Sequence, residues 1–363
     1  MTGTPQKIAY VIDDLTYGGA QKQLSLLVRA LPDRYIPVVI SMSRNLEPFA
    51  NTIRAEGIQV ISLSRRTNND VGRLWGLGRA LKDTGADLVH GFLDAANVYA
   101  YLSARVLGRP VMLSLRNDRL RLTGVRAAML SWMLRRADRV LVNSRAGRHL
   151  LIEKIRVDPG RVAYITNWTE DPSGDARPLP SANGDKVIGS VGRFTAQKRL
   201  NLLIEAFAEV RRKNPRSRLV LMGSGHEKGS LLRRVEELGL GEWVDFLEPR
   251  LEVAGVLRKL HCFVLPSAYE GLPNAAIEAL AEGVPVIATP SGDVSDLIVE
   301  GRTGAMVEDD RPGVLADAIL RVLADDELLE NARTCGPELV GRNFSMSAAL
   351  GKLLLVYDAL LTR

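Results

Sequence analysis

The chain predicts an α/β protein built from two doubly wound parallel sheets, each with helices on both faces. Three observations carry that expectation. At 363 residues the chain exceeds what one ordinary core organises, so two domains of about 170 residues each are expected. Short apolar runs alternate with helix-period segments along most of its length, the pattern of βα units around a parallel sheet. The alternation stops at 166–185, where Pro172, Pro178, Pro180 and the run Pro-Ser-Ala-Asn-Gly-Asp read as a linker, and then restarts.

Taken in order, the strand-like runs of the first half are 8–12, 38–42, 59–63, 88–90, 111–115 and 139–142, with helical patterns such as 20–31 and 71–83 between them. These place a first domain at 1–168 and the linker at 169–185. A second domain at 186–345 follows, with strands at 187–191, 218–222, 244–247, 263–265 and 286–289. The tail 345–361 reads as an amphipathic helix, and a C-terminal helix over 346–363 is expected to pack back on the first domain. Ligands of such sheets bind beyond the carboxyl ends of the strands, so a cleft between the domains is the expected site.

Hydrophobic content of 46% and charged content of 25% are those of a soluble globular protein. The longest apolar runs fall far short of the roughly 18 residues a membrane span needs. No secretory signal opens the chain, because residues 1–7 lead straight into the first strand. Cys262 and Cys335 form neither a disulfide framework nor a Cys-x-x-Cys pair. Together these features suggest the cytoplasm.

Charge is uneven. Residues 1–177 carry 26 Lys+Arg against 16 Asp+Glu, a net of +10; the remainder carry 22 against 26, a net of −4. The basic focus runs from Arg119 to Arg148, with eight arginines and the single acid Asp138. Val125, Met129, Leu130, Trp132 and Met133 are spaced there for one helical face. Two readings stay open: a helix lying on an anionic membrane surface, or a core-packed helix with a solvated basic face. Nucleic acid is disfavoured, because no aromatic interleaving or recognised module accompanies the charge.

The most informative stretch is Glu270-Gly271-Leu272-Pro273-Asn274-Ala-Ala-Ile-Glu278. It follows an apolar strand at 262–265, suits a helix start with Pro273 in the first helical position, and brackets that start with two carboxylates. Free N–H groups at a helix start attract anions. Flanking carboxylates would repel a bare phosphate but could hold hydroxyls on either side of a diphosphate. The plainer alternative is a solvated Glu270 and a Glu278 that complements the helix dipole.

Other strand ends add to this. Gly18-Gly19-Ala20 opens the first helix, either as a loop hugging a phosphate or sugar through positive φ, or as a tight turn. Gly192-Arg193-Phe-Thr-Ala-Gln-Lys198 supplies two cations able to neutralise a diphosphate, unless it is an ordinary basic surface loop. Gly223-Ser-Gly225-His-Glu-Lys-Gly229 imitates a dinucleotide fingerprint, but its third glycine comes one residue late and it follows the wrong strand. That leaves it as a nucleotide-pocket lining or a turn.

With Gly283-Val-Pro-Val-Ile-Ala-Thr289, these motifs resemble glycosyltransferase family 4 over nearly the whole chain. The resemblance implies the GT-B architecture of two Rossmann-like domains with an interdomain active-site cleft, the first binding acceptor and the second the nucleotide sugar. It implies retaining, metal-independent transfer from a nucleoside-diphosphate sugar, UDP favoured over GDP, without a cofactor. Glu270 would then contact donor sugar hydroxyls and Glu278 the ribose. Arg193 and Lys198 would hold the diphosphate, helped by N–H groups of Leu272 and Asn274. Gly271, Gly192, Gly223 and Gly225 would line the donor pocket, and Gly18, Gly19 and Ala20 the phosphate or acceptor loop. No Asp-x-Asp metal motif is present.

The chain departs from the family where relatives carry a His after the fourth strand. Alignment on Ala-Asn puts Phe92 at that position. His90, Asp94, Asn97, Asn117 and Asn143 are the acceptor-side candidates, although His90 also suits a satisfied core imidazole and the asparagines suit turns. The basic first half and its Gly-Gly-Ala-Gln start look like members that extend lipid-carrier-linked glycans for polysaccharide or O-antigen assembly. An anionic lipid-linked or glycan acceptor, at the inner face of the cytoplasmic membrane, follows from that likeness. A sugar-nucleotide epimerase and a non-catalytic nucleotide-sugar-binding protein are the alternatives.

Overall fold

The computed structural model describes residues 4–63, 71–116, 124–171 and 184–362. Asn117, the 119–123 part of the basic segment, and Pro172, Pro178 and Pro180 of the expected linker lie outside them. The chain forms two units, 1–167 with 346–363, and 168–345.

Among the described residues, the first unit carries seven parallel strands: β1 (Gln6–Ile12), β2 (Tyr35–Ser41), β3 (Gln59–Ser62), β4 (Leu88–Phe92), β5 (Val111–Leu115), β6 (Arg139–Val142) and β7 (Val162–Tyr164). Their order is β3-β2-β1-β4-β5-β6-β7, so the winding reverses between β1 and β4. Helices α1 (Gly19–Ala30), α2 (Phe49–Ala55), α3 (Val71–Thr84), α4 (Asp94–Val106), α5 (Gly124–Arg136) and α6 (Arg145–His149) alternate with the strands. Leu77 and Leu81 of α3, Ala96 and Ala100 of α4, and Leu130, Met133 and Leu134 of α5 cover one face. The strands are buried on both faces, which is why they read as continuous apolar runs.

Among the described residues, the second unit has six parallel strands: β8 (Lys186–Val191), β9 (Ser217–Met222), β10 (Val244–Leu247), β11 (Cys262–Leu265), β12 (Val286–Ala288) and β13 (Gly304–Met306). Their order is β10-β9-β8-β11-β12-β13, with the reversal between β8 and β11. The helices are α7 (Leu200–Lys213), α8 (Lys228–Glu237), α9 (Ala254–Leu257), α10 (Asn274–Ala281), α11 (Pro312–Ala324) and α12 (Asp326–Asn343). Alternation along β11 sends Cys262 and Val264 into the core under α7 and α11, and Phe263 and Leu265 into the core under α10.

The last helix, α13 (Met346–Leu361), belongs to the first unit. Its Tyr357 hydroxyl meets His90 Nδ1 at 2.8 Å and accepts from the Tyr10 hydroxyl at 3.1 Å. Its Asp358 accepts from the Tyr35 hydroxyl and pairs with Arg34 at 3.1 Å.

Two sequence expectations are corrected. The apolar positions of α5 do not share one face: Leu130 and Met133 are buried, while Val125 (85% exposed), Met129 and Trp132 (42%) face outward. Pro273 precedes α10 with extended backbone, and the helix begins at Asn274. Strands β7 and β13, each three residues at a sheet edge, have no counterpart among the expected runs.

Candidate active site

In the second unit, the winding reversal brings the loop after β8 against the loop after β11. Lys198 Nζ lies 2.6 Å from Glu270 Oε1, an ion pair with side chains only 16% and 10% exposed. The two residues are 72 positions apart in the chain. At that distance and burial the pair is a charge-assisted hydrogen bond sheltered from solvent. The pair orients both side chains at the carboxyl end of the sheet.

The pair sits in a stitched seam. The Gln197 carbonyl accepts from Ala268 N–H at 2.9 Å, and Gln197 Nε2 donates to the Tyr269 carbonyl at 2.8 Å. Arg199 Nε donates to the Pro266 carbonyl at 2.6 Å, and its Nη2 to the Thr289 hydroxyl at 3.1 Å. On the far side of the loop, Gly292 takes φ 55°, and a Cβ there would stand 2.1 Å from the Glu270 carbonyl oxygen. Asp293 N–H donates to the Gly271 carbonyl at 2.9 Å. Glu270 is thus held between two loops. Arg199, Gly292 and Asp293 were not assigned roles from the sequence: Arg199 closes the Gly192–Lys198 motif, but its role, like those of Gly292 and Asp293, depends on backbone remote in the chain.

The glycines of the donor-side motifs also converge here. Gly223 and Gly225 adopt φ 154° and 158°; added Cβ atoms would lie 1.8 Å from the Gly192 oxygen and 2.2 Å from the Phe194 oxygen. Phe194 N–H donates to the Ser224 carbonyl at 2.8 Å. The Gly-Ser-Gly loop therefore underlies the Arg193–Lys198 loop backbone-to-backbone, which accounts for both glycines without a dinucleotide fingerprint. Gly192 itself has φ 157°, and a Cβ there would press on the Lys198 stem at 3.2 Å. Arg193 is exposed at the front of this loop.

Leu272 is buried beneath the turn and Asn274 opens α10, leaving first-turn N–H groups at the carboxyl end of β11. Glu278 is half-buried at the fifth position of α10. Glu278 thus lies just past the first turn, where the helix-dipole effect is weaker.

The first unit presents a different set at its own reversal. Asp13, just past β1, accepts from the Ala96 N–H of α4 at 2.7 Å. Burial first, then the charges of Asp14 and Asp94, push its carboxyl up to about 6. Asp14 Oδ1 accepts from Thr16 N–H and hydroxyl (3.0 and 2.7 Å) and from Gln21 Nε2 (3.0 Å), shaping the Gly18-Gly19-Ala20 loop. Gly18 is extended (φ −177°) and Gly19 begins α1, so neither uses the positive φ expected of them. What favours glycine at 18 is the Gln21 side chain, 2.2 Å from where a Cβ would sit. Ala20 lies in the first turn of α1.

The acceptor-side candidates divide. His90 lies inside β4, fully buried, with Nε2 2.7 Å from the Ser114 hydroxyl and Nδ1 on Tyr357. Burial first, then the Arg116 charge, holds it well below its ordinary pKa. It is a neutral core residue, not a group that meets a ligand. Asn97 is also fully buried and donates to the Ser114 carbonyl at 2.9 Å, bracing α4 on β5. Asn143 donates to Asn167 Oδ1 at 2.9 Å, which also accepts from Arg116 Nη1 at 3.0 Å. Asp94 is the first residue of α4 and is buried. Phe92, which the resemblance sets at the family's His, is buried, with the Arg116 guanidinium 5.0 Å over its ring. Among the described residues, no cluster of three or more His, Cys, Asp or Glu side chains could hold a metal ion.

Residues 17–170 match the model of Glycosyltransferase Family 4, and residues 175–338 that of Glycosyl transferases group 1. A Vi polysaccharide biosynthesis protein of Salmonella typhi, VipC/TviE, is 38% identical over 35% of this chain and 22% of its own length. A D-inositol 3-phosphate glycosyltransferase of Corynebacterium urealyticum is 31% identical over 57% of this chain. The chain thus spans only about a fifth and a half (51%) of these two relatives. The N-acetylgalactosamine-N,N'-diacetylbacillosaminyl-diphospho-undecaprenol 4-alpha-N-acetylgalactosaminyltransferase of Campylobacter jejuni is 26% identical over 89% of this chain and 92% of its own. In fold, the chain is similar to Anabaena Alr3699/HepE, solved with UDP and glucose: TM-score 0.86 at 19% identity, covering 98% of this chain and all of that one.

Proposed function

Because the chain belongs to the family 4 glycosyltransferases of GT-B architecture, we propose that it transfers a hexose or N-acetylhexosamine from a nucleoside-diphosphate sugar with retention of configuration and without a metal. The observation that carries this reading is the sheltered Lys198–Glu270 pair at the β8/β11 reversal, where a doubly wound sheet binds its ligand. Arg193 and Lys198 neutralise the diphosphate, as a divalent cation does elsewhere. Glu270 accepts from a donor sugar hydroxyl and Glu278 from the ribose. The acceptor oxygen bonds to the anomeric carbon on the face from which the diphosphate oxygen departs. The departing phosphate takes the acceptor's proton, so no side-chain base is required.

UDP is favoured as the nucleotide, in keeping with the ligand of the Anabaena neighbour. The names of the Campylobacter and Salmonella relatives suggest a diphospholipid-linked or glycan acceptor and a part in cell-surface polysaccharide assembly. Such an acceptor is presented at a membrane. Among the described residues no helix is long and apolar enough to cross one. The outward Val125, Met129 and Trp132 of α5, with Arg136 stacked 4.5 Å over the Trp132 ring, suit peripheral contact with anionic lipid.

The test is transfer itself. With UDP-sugars and polyprenyl-diphosphate-sugar acceptors, mass spectrometry is expected to show acceptor gaining one sugar, and Glu270→Gln to lower turnover by about 100-fold or more. Unchanged turnover at saturating donor would remove Glu270 from the site. An altered donor with no acceptor product would make the protein an epimerase.

A further inference from the structure

Arg199 is a non-glycine residue held at φ 48°, ψ 41°, the left-handed region. It ends the short 3-10 turn Ala196–Lys198 and precedes α7, yet its side chain caps neither. It crosses instead to the next strand's loop. Nε donates to the Pro266 carbonyl at 2.6 Å, and Nη2 to the Ser267 carbonyl at 3.3 Å and the Thr289 hydroxyl at 3.1 Å. The Thr289 hydroxyl donates onward to the Ser267 carbonyl at 2.8 Å. Nη1 pairs with Asp310 at 2.5 Å. One planar fork thereby joins the carboxyl ends of β8, β11 and β12, a geometry that a lysine cannot reproduce.

Three consecutive residues of one loop hold the other from residue 266 to residue 270. Gln197 holds residues 268 and 269, Lys198 holds Glu270, and Arg199 holds 266 and 267. The left-handed turn at 199 lets two consecutive side chains address the same loop. Strain of this kind persists where the surroundings over-determine it, and it clusters at functional sites.

We propose that Arg199 is a positioning residue for donor binding: it locks the loop after β8 to the loop after β11 and so fixes Lys198 against Glu270. The reading rests on the proposed nucleotide-sugar site for its functional consequence, but the lock itself can be measured without ligand.

The variant to use is Arg199→Gly, because glycine accepts φ 48° without strain and removes only the fork; Arg199→Gln is the second variant. In ligand-free full-length protein, hydrogen exchange at Ala268 N–H is expected to accelerate at least tenfold in Arg199→Gly while exchange in α11 stays as in wild type. UDP and GDP affinities are then measured by calorimetry in a cycle with Lys198→Ala. Arg199→Gly is expected to weaken UDP binding about tenfold alone and less than twofold in the Lys198→Ala background. Unchanged exchange at 268, or penalties that multiply across the cycle, would overturn the proposal. If wild type bound neither nucleotide, the donor reading would fall, and the exchange measurement would still decide whether Arg199 locks the two loops.

Discussion

The two winding reversals occupy equivalent places in their sheets, yet the loops that follow their first strands carry opposite charge. At β8/β11 the loop after the first strand brings Arg193, Lys198 and Arg199. At β1/β4 the same loop brings Asp13 and Asp14, with Asp94 at the start of the facing helix. Net charge runs the other way, +10 in the first half and −4 in the second. Screening limits the reach of exposed charges to about 8–10 Å, so ligand choice follows the few groups at the reversal. In the proposed function the diphosphate falls to the second unit's reversal, and the first unit's carboxylates would meet hydroxyls. The first half's surplus of arginine lies elsewhere, largely on and around α5.

The largest expected effect comes from breaking the cationic side. Lys198→Ala leaves the Glu270 carboxylate, 10% exposed, without its partner, and orphaning one member of a buried pair costs about 3–5 kcal/mol. Spread over a unit of this size, that lowers Tm by about 6–12 °C or more. The double variant Lys198→Ala, Glu270→Gln should recover at least half of the loss, because the unpaired charge is gone. Calorimetric scans of the three variants check this. Equal Tm values for wild type and Lys198→Ala would mean that the pair carries no structural weight.

The anionic side gives a smaller and pH-dependent effect. Asp13 titrates near 6 in the folded protein against about 3.9 unfolded. Its folded form holds the proton more tightly, so stability is lost as pH rises from about 4 to 6 and stays lost above. Two pK units correspond to about 3 kcal/mol, and partial exposure of Asp13 reduces this to about 1–2. Asp13→Asn keeps an acceptor for Ala96 N–H and removes the charge. It should therefore raise Tm by about 2–6 °C at pH 8 and leave it unchanged at pH 4. A gain of equal size at both pH values would show that the effect is not Asp13's ionisation.

How much of this could be read from the chain follows from what each feature depends on. Period and length suffice for Val111–Leu115 and Arg139–Val142, which match the expected strands residue for residue. They fail for β7 and β13, three-residue strands at the ends of their sheets without the longer apolar run that marks β12. Glu270 and Lys198 stood out by motif, but their pairing spans 72 positions and belongs to the strand order. Asp13 has no motif at all: its importance comes from Ala96 N–H, 83 positions away. His90 drew attention as a titratable group at a strand end, and only the Tyr357 hydroxyl of α13 reveals it as core. Arg199 was visible as a cation, whereas its left-handed backbone was not.

The smallest effect on either reversal should come from the surface that separates net charge from site charge. Trp132 and Arg136 lie on α5, away in sequence from both reversals; Trp132 meets Tyr101 edge-on at 5.8 Å and Arg136 lies over it. Replacing both by alanine should leave UDP affinity and Tm within error. Binding to vesicles of anionic lipid should fall about fivefold or more, since each arginine near such a surface contributes about 1 kcal/mol and the indole adds apolar burial. Flotation on anionic and neutral vesicles measures it. Equal flotation of wild type on both would remove the membrane from the account, leaving the excess positive charge of the first half without a partner. A fall in UDP affinity would instead mean that α5 is coupled to the donor site.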